Sequence, residues 1–386
     1  MTHLPSSALA KGAKESSQPA PRWRLPRRDY VLLPLIFLGT ILVLLAAGEI
    51  TARLLYAQED ESEPCRYATP NGERYRPGCQ SRTKEWEGPW TIQHFNECGY
   101  RTAESCAPRP PGSLRVAVVG SSTARGVLVA YPESFAARAS AFLSDRCAGL
   151  VDFQNLATIP PDVDRIDQRI PEALGLKPSA IVMTIGPYDL IHLKDPPPST
   201  GGQQQPERPN LRSAVNLLRS SRLFLVMQYY LYRDPAFQIR AFLLNGDPAD
   251  YVRRPLSAVW RQRVDDFGDL LHRITAETAP AGVPVLLVYV PERAQAAMAA
   301  MQSEPPGVDP FVLTAALDDV ARRNGVQFLD GTPAFAHAPD FYSLYYLTDG
   351  HLRDGGHAAL AGVFEQGLLA EPAFARCRGY VQATPE

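Results

Sequence analysis

Short apolar runs recur through the second part of the chain and alternate with amphipathic stretches. The runs cover residues 114–119, 151–156, 180–185, 283–290 and 326–329. Across most of these runs the apolar residues do not alternate with polar ones, which is typical of strands covered on both faces. The pattern therefore predicts a parallel sheet with helices on each side.

Between these runs, apolar residues follow the spacing of helices. A clear example places four residues at i, i+3, i+4 and i+7: Phe267, Leu270, Leu271 and Ile274. A second pattern covers residues 311–320 and is followed by Asn324 and Gly325, which are typical of a helix end.

An uncharged apolar run of 19 residues, from 30 to 48, precedes all of these elements. It is long enough for one membrane-spanning helix, which we expect over residues 30–49. Basic residues lie before the run and acidic residues after it: Lys11, Lys14, Arg22, Arg24, Arg27 and Arg28, then Glu59, Asp60, Glu61 and Glu63. This asymmetry predicts a cytoplasmic N-terminus, with everything after about residue 50 outside the cytoplasm. A cleaved signal peptide is the alternative, although its apolar core is usually shorter.

Composition divides the rest of the chain. Residues 1–29 are rich in Ser, Pro, Lys and Arg, which predicts a disordered cytoplasmic tail. Residues 50–112 hold four cysteines and show little periodicity, so we expect an irregular, disulfide-braced lead-in to a main domain over 113–386. A Pro/Gly/Gln-rich linker followed by apolar helical sequence indicates an insertion at about 195–253. It is a lid over the sheet edge, a segment that packs on the membrane, or an extra pair of core helices.

All six cysteines follow the apolar run: Cys65, Cys79, Cys98, Cys106, Cys147 and Cys377. An even number in an oxidising compartment predicts three disulfides. We expect Cys147 to pair with Cys377 and the other four to pair within the lead-in, with buried free thiols as the alternative. No C-x-x-C pair or His cluster suggests a metal, and no organic cofactor is expected. The net charge of −2 gives no basis for nucleic-acid binding.

Two short segments carry the residues for chemistry. The run at 114–119 leads into Gly120, Ser121 and Ser122, which presents a hydroxyl at the carboxyl edge of the sheet. Asp349 and His351 lie just before the last helical pattern. Together Ser122, His351 and Asp349 make a set for acyl chemistry, because a serine needs a base and the base needs an orienting carboxylate.

Other residues compete for these roles. Ser121 neighbours Ser122, and Asp354 with His357 forms a second Asp/His pair, although His357 begins an apolar helical pattern that favours packing. An α/β-hydrolase elbow is a further alternative, but Ala124 stands where the second glycine of that motif belongs.

The motifs occur in the order found in the SGNH (GDSL-type) hydrolases, and the chain resembles membrane-anchored bacterial members of that family. The segments that carry the resemblance are 95–101, 120–126 with 131–135, 155–157, 185–189 and 349–361. The resemblance implies a three-layer α/β/α fold with a five-stranded parallel sheet. It carries Ser122 over as the nucleophile, His351 as general base and acid, and Asp349 as the orienting carboxylate. It puts Ser121 in the place of the family's Asp.

The chain departs from the family where the oxyanion is stabilised. In SGNH enzymes the donors are the serine N–H, a glycine N–H of the second block and an Asn side chain of the third. Here Pro160 or Ile159 falls at the glycine and Tyr188 replaces the Asn. The Tyr188 hydroxyl and the Arg125 cation are the candidates to compensate. One missing donor costs about 2.7–4 kcal/mol of activation free energy.

We therefore expect an ester hydrolase in the inner membrane of a bacterium, held by a single span with its domain in the periplasm or outside the cell. Its expected substrates are acyl esters, including those of envelope glycans. An O-acyl transferase of the same fold is the first alternative. A catalytically impaired protein that binds a glycan or scaffolds an envelope complex is the second. A lid over lipid substrates, formed by residues 217–244, is a third.

Overall fold

The computed structural model describes residues 26–56, 59–60, 63–69, 72–157, 163–193, 221–301 and 305–378. Residues 1–25 of the expected tail lie outside this part. Helix α1 (Asp29–Leu55) contains the expected span and continues to Leu55. Its length and apolar composition suffice to cross a membrane.

The lead-in contains five short strands, which corrects the expectation of an irregular segment. They are β1 (Glu59–Asp60), β2 (Arg66–Thr69), β3 (Gly72–Tyr75), β4 (Gln80–Lys84) and β5 (Trp90–His94). Strands β2 and β3 pair as an antiparallel hairpin, and β1, β4 and β5 form a second antiparallel sheet in the order β1-β4-β5. All inward side chains of β4 and β5 are polar, so no hydropathy pattern reveals these strands. These side chains are Ser81, Thr83, Thr91 and Gln93.

The main domain is built on one five-stranded parallel sheet, as expected. Its strands are β6 (Leu114–Val119), β7 (Val151–Asn155), β8 (Ala180–Ile185), β9 (Val285–Tyr289) and β10 (Gln327–Asp330). Their order is β10-β9-β8-β6-β7, with every neighbouring pair parallel. Along β6, Val116 and Val118 face one apolar core while Ala117 and Val119 face another. Both faces of the sheet are therefore covered, which explains the apolar runs of β6, β8 and β9.

Helices fill the two outer layers. They are α2 (Ser122–Arg125), α3 (Phe135–Arg146), α4 (Ile170–Gly175), α5 (Pro187–Ile191), α6 (Arg222–Leu231), α7 (Pro235–Leu243), α8 (Ala258–Thr278), α9 (Arg293–Ala299), α10 (Val312–Arg323), α11 (Thr332–Ala336) and α12 (Asp354–Ala370). Short 3-10 turns cover Glu63–Cys65, Tyr131–Glu133, Val163–Arg169, Asp247–Val252, Ala279–Ala281, Phe341–Ser343 and Pro372–Cys377. Helix α8 buries its expected apolar face against one side of the sheet, and α3 and α12 pack on the other. The three-layer α/β/α architecture is confirmed.

The cysteines form three disulfides, with the expected division. Cys147 pairs with Cys377, which ties the end of α3 to the turn after α12. Cys65 pairs with Cys79, and Cys98 pairs with Cys106, both within the lead-in.

The described part of the expected insertion begins at residue 221, since residues 194–220 lie outside the described ranges. Helix α6 has no buried residue, and α7 buries Gln238 and Ile239. Ile239 belongs to the apolar core on one side of the sheet, and Phe242 and Leu243 pack against that core.

Candidate active site

Ser122 lies at the carboxyl edge of the sheet because β6 ends three residues before it. The intervening Gly120 has φ +154°, and a Cβ there would lie 2.4 Å from Thr184 Oγ1. Only glycine allows the chain to turn this close to β8. Ser122 then begins helix α2, which ends at Gly126 in the left-handed conformation.

Asp349 and His351 lie in a tight loop between the 3-10 turn at Phe341–Ser343 and α12. The Tyr346 N–H donates to the His351 carbonyl at 2.9 Å, and the Gly350 N–H donates to the Tyr346 carbonyl at 3.0 Å. Gly350 adopts φ +87°, which lets the loop reverse between the two side chains. The loop thus fixes the spacing of the acid and the imidazole.

The three side chains meet in one hydrogen-bonded line. His351 Nε2 lies 2.8 Å from Ser122 Oγ, and His351 Nδ1 lies 2.7 Å from Asp349 Oδ1. Asp349 Oδ1 also accepts the His351 backbone N–H at 3.0 Å. With Nδ1–H donating to the carboxylate, Nε2 presents its lone pair to the serine hydroxyl. This is the arrangement in which an imidazole can remove the serine proton.

Asp349 and His351 shift each other's pKa in opposite directions. Burial raises the pKa of Asp349, but the hydrogen bond and charge of His351 outweigh it, so the pKa lies below its usual value. Burial lowers the pKa of His351, but the hydrogen bond and charge of Asp349 outweigh it, so the pKa lies above its usual value. Their side chains keep 20 % and 28 % exposure, so the pair opens to solvent.

The competing residues have other partners. Ser121 donates its hydroxyl to the buried Asp189, which also accepts the Gly186 N–H at 2.8 Å; burial raises the pKa of Asp189. Asp354 forms an ion pair with Arg138. His357 is buried and accepts the Phe135 N–H at 3.4 Å, and burial lowers its pKa to about 3.

His357 therefore packs against α3, as its helical pattern indicates, and the imidazole that meets Ser122 is His351.

Arg125 and Tyr188, the two residues expected near the oxyanion, both line the cavity that contains Ser122 and His351. Arg125 is 1 % exposed, donates to the Tyr75 hydroxyl and has its guanidinium carbon 5.1 Å from the Tyr75 ring centre. Tyr188 is 55 % exposed, and its ring centre lies 4.4 Å from that of His192. Pro160 and Ile159, at the expected position of the missing glycine, lie outside the described residues.

A cavity of about 670 Å³ opens at Ser122 and His351. The lead-in contributes Thr83 and Glu85 to its wall, and the helical insertion contributes several residues: Gln228, Tyr232, Gln238, Phe242 and Asn245. Insertion residues thus form part of the wall over the sheet edge. Within the described residues, no group of three or more His, Cys, Asp or Glu side chains is placed to hold a metal ion.

One residue beside this site has no signal in the sequence. Glu87, in the turn between β4 and β5, accepts backbone N–H groups of the loop that carries Asp349. A lone glutamate about 260 positions away from its partners belongs to no motif, so only the structure connects it with the loop.

No protein-family model matches the chain, and no curated protein sequence matches it. Several solved structures do. One is LAE5, an α/β hydrolase enzyme from the metagenome of Lake Arreo, at 15 % identity and TM-score 0.40, covering 68 % of this chain and 96 % of that chain. Another is a catalytic mutant of Axe2, an acetylxylan esterase from Geobacillus stearothermophilus, at 14 % identity and TM-score 0.39, covering 68 % and 97 %.

A GDSL-like lipase from Bacteroides thetaiotaomicron also matches, at 11 % identity and TM-score 0.33, covering 68 % of this chain and 91 % of that chain.

Proposed function

We propose that this protein is a serine ester hydrolase in which Ser122 is the nucleophile, His351 the general base and acid, and Asp349 the orienting carboxylate. The observation that carries the proposal is the line of contacts of 2.8 Å and 2.7 Å that joins these side chains. Ser122 and His351 are 229 positions apart in the sequence, and the fold brings their side chains into contact at the mouth of a cavity, where a substrate can reach them.

The chemistry follows from this geometry. Ser122 Oγ attacks the acyl carbonyl carbon while His351 Nε2 accepts its proton. The tetrahedral intermediate then expels the alcohol, which takes that proton from His351, and leaves an acyl-serine. Water, activated by the same imidazole, releases the acid and restores the hydroxyl. Asp349 holds the tautomer and stabilises the imidazolium in both halves of the reaction.

Arg125 supports the proposed oxyanion stabilisation. It is a buried cation three positions beyond Ser122 on the same wall of the cavity. A positive charge held in a water-poor site stabilises a developing negative oxygen more strongly than it would in water. The Ser122 N–H and the Tyr188 hydroxyl are the further donors in this proposal.

The cavity wall favours an acyl ester of a hydroxyl-rich molecule such as an envelope glycan. Gln228, Gln238 and Asn245 offer both donors and acceptors, and Glu292 adds a carboxyl that accepts the Tyr251 hydroxyl at 3.1 Å. Burial raises the pKa of Glu292 to about 7. Amide and carboxyl groups of this kind pair with sugar hydroxyls, and the apolar part of the wall, which includes Leu128, Phe242 and Val290, is available to the acyl group.

The proposed location is the bacterial inner membrane, with the domain on the non-cytoplasmic side. Helix α1 supports a single span, and the basic residues before it support a cytoplasmic N-terminus. Three disulfides support an oxidising compartment for the domain.

The test uses the full-length protein in detergent with p-nitrophenyl acetate and butyrate. We expect wild-type turnover, and a fall of kcat by about three orders of magnitude or more in Ser122→Ala. Ser121→Ala tests the neighbouring hydroxyl as the alternative nucleophile, and we expect it to keep covalent labelling at Ser122. A fluorophosphonate probe should label the wild type and not Ser122→Ala.

Equal turnover in the wild type and Ser122→Ala would contradict the proposal. With a sugar acceptor present, acyl transfer in place of hydrolysis would identify the transferase alternative. Absence of both turnover and labelling in folded protein would favour the glycan binder.

A further inference from the structure

The small sheet of the lead-in contacts both segments that supply the triad. On the serine side, the Gln93 side-chain amide donates to the Val127 carbonyl at 2.7 Å, and Thr91 Oγ1 donates to the Leu128 carbonyl at 3.1 Å. These carbonyls belong to the segment that directly follows α2. All these contacts are buried, so the sheet is fixed against the serine segment.

On the histidine side, a single carboxylate makes the connection. Glu87 Oε2 accepts the Leu347 N–H at 2.8 Å. Glu87 Oε1 accepts the Thr348 N–H and hydroxyl, both at 2.9 Å, and the Asp349 N–H at 3.0 Å. Three consecutive backbone N–H groups thus converge on one anion, which is a strong arrangement for holding a loop.

The last of these contacts reaches the triad directly. The Asp349 N–H belongs to the residue whose carboxylate orients His351 at 2.7 Å. The neighbouring Gly88 approaches the same loop, because a Cβ there would lie 2.9 Å from the Tyr346 ring. The turn after β4 and the loop before α12 therefore fit against each other without room for larger side chains.

We propose that Glu87 is a positioning residue for the triad, and that the β1-β4-β5 sheet of the lead-in belongs to the active site of this enzyme. Glu87 fixes the backbone of Asp349, which fixes His351 relative to Ser122. The inference rests on the proposed function, because it describes how that triad is held in reach. A displacement of about 1 Å in a catalytic group is enough to cost about 100-fold in rate.

The test compares Glu87→Gln and Glu87→Ala with the matched control Glu97→Gln, in full-length protein in detergent. Glu97 is a lead-in carboxylate too, but it accepts hydrogen bonds from Ser105 and from the Cys106 N–H at 2.8 Å, within the lead-in. Active sites are counted by fluorophosphonate labelling, so that kcat refers to folded protein only. We expect Glu87→Ala to lower kcat per labelled site about 10- to 100-fold, with KM little changed, and Glu97→Gln to match the wild type.

A double-mutant cycle with Asp349→Asn separates positioning from stability. If Glu87 acts through Asp349, then Glu87→Gln has little further effect on kcat once Asp349 is replaced. Should Glu87→Ala not fold, Glu87→Gln and Thr348→Val, which remove fewer hydrogen bonds, take its place in the cycle.

Unchanged kcat per labelled site in the Glu87 variants, or effects that add fully with Asp349→Asn, would overturn the inference while leaving the hydrolase intact. An unlabelled, inactive wild type would instead overturn the proposed function.

Discussion

At the scale of single residues, the interaction of Asp349 with His351 sets the pH range in which the proposed enzyme is active. His351 accepts the serine proton only when its Nε2 is unprotonated. Because the hydrogen bond and charge of Asp349 raise the pKa of His351 against the effect of burial, more hydroxide is needed to free the base than for an isolated imidazole. Activity should therefore rise with pH through a midpoint above the ordinary histidine value of about 6.5.

Replacing Asp349 by Asn tests this coupling. The amide keeps the size of the side chain but removes the charge that raises the pKa of His351, so the acid limb of kcat/KM should move to lower pH. The loss of kcat should be on the order of 10³- to 10⁴-fold, because the tautomer is no longer held. Asp354→Asn, at the ion pair with Arg138, is the control and should keep both limb and rate. An acid limb that stays in place in Asp349→Asn would contradict the assignment of roles.

The contacts of His351 with Ser122 and Asp349 could be predicted because these residues stand next to patterns that the backbone enforces. Ser122 follows an apolar strand and a glycine that must approach Thr184, and His351 precedes an apolar helix. Glu87 has no such context: its role arises from four contacts with a loop that is distant in sequence. The hydrogen bonds of Ser121 with Asp189 and of Arg125 with Tyr75 could not be predicted either. No motif connects these residues, and they meet only in the buried interior of the fold.

At the scale of elements, the chain uses two kinds of sheet, and only one of them could be predicted. Strands β6, β8 and β9 are buried on both faces and largely apolar, which marks them in the sequence, whereas β7 also buries the polar Asp152, Gln154 and Asn155. Strands β4 and β5 instead point polar side chains inward, toward the backbone carbonyls of the segment after α2. A surface that packs through hydrogen bonds leaves no hydropathy signal, which is why the sequence predicts an irregular lead-in.

Gln93→Leu tests whether those buried hydrogen bonds hold the lead-in sheet. Leucine removes the amide donor that lies 2.7 Å from the Val127 carbonyl and leaves that carbonyl with the Thr83 hydroxyl at 3.3 Å. Loss of one buried hydrogen bond costs about 0.5–1.5 kcal/mol of unfolding free energy, so the urea midpoint of the variant should fall accordingly. Gln80→Leu, on the exposed side of β4, is the matched control and should change stability by less than about 0.5 kcal/mol. Equal stabilities for the two variants would mean that packing, and not hydrogen bonding, holds the sheet.

At the scale of the whole domain, one disulfide joins the two segments that lead away from the triad. Helix α3 follows the serine segment, and α12 follows the histidine loop. The two helices pack together through Phe135 and Phe364, whose ring centres lie 4.6 Å apart, and Cys147–Cys377 links their far ends. Two segments separated by 230 positions in the sequence are thereby held beside each other in the folded protein.

Removing this bond should destabilise the domain more than removing a local one. In the chain-entropy account, a disulfide stabilises in proportion to the logarithm of the loop it closes, and the separations here are 230 residues for Cys147–Cys377 and 8 for Cys98–Cys106. The double variant Cys147→Ala/Cys377→Ala should therefore lose about 3 kcal/mol more unfolding free energy than Cys98→Ala/Cys106→Ala. Urea unfolding of both full-length variants in the same detergent measures the difference. Equal losses would show that the long loop is already closed by the packing of α3 on α12, and that the disulfide adds only local contacts.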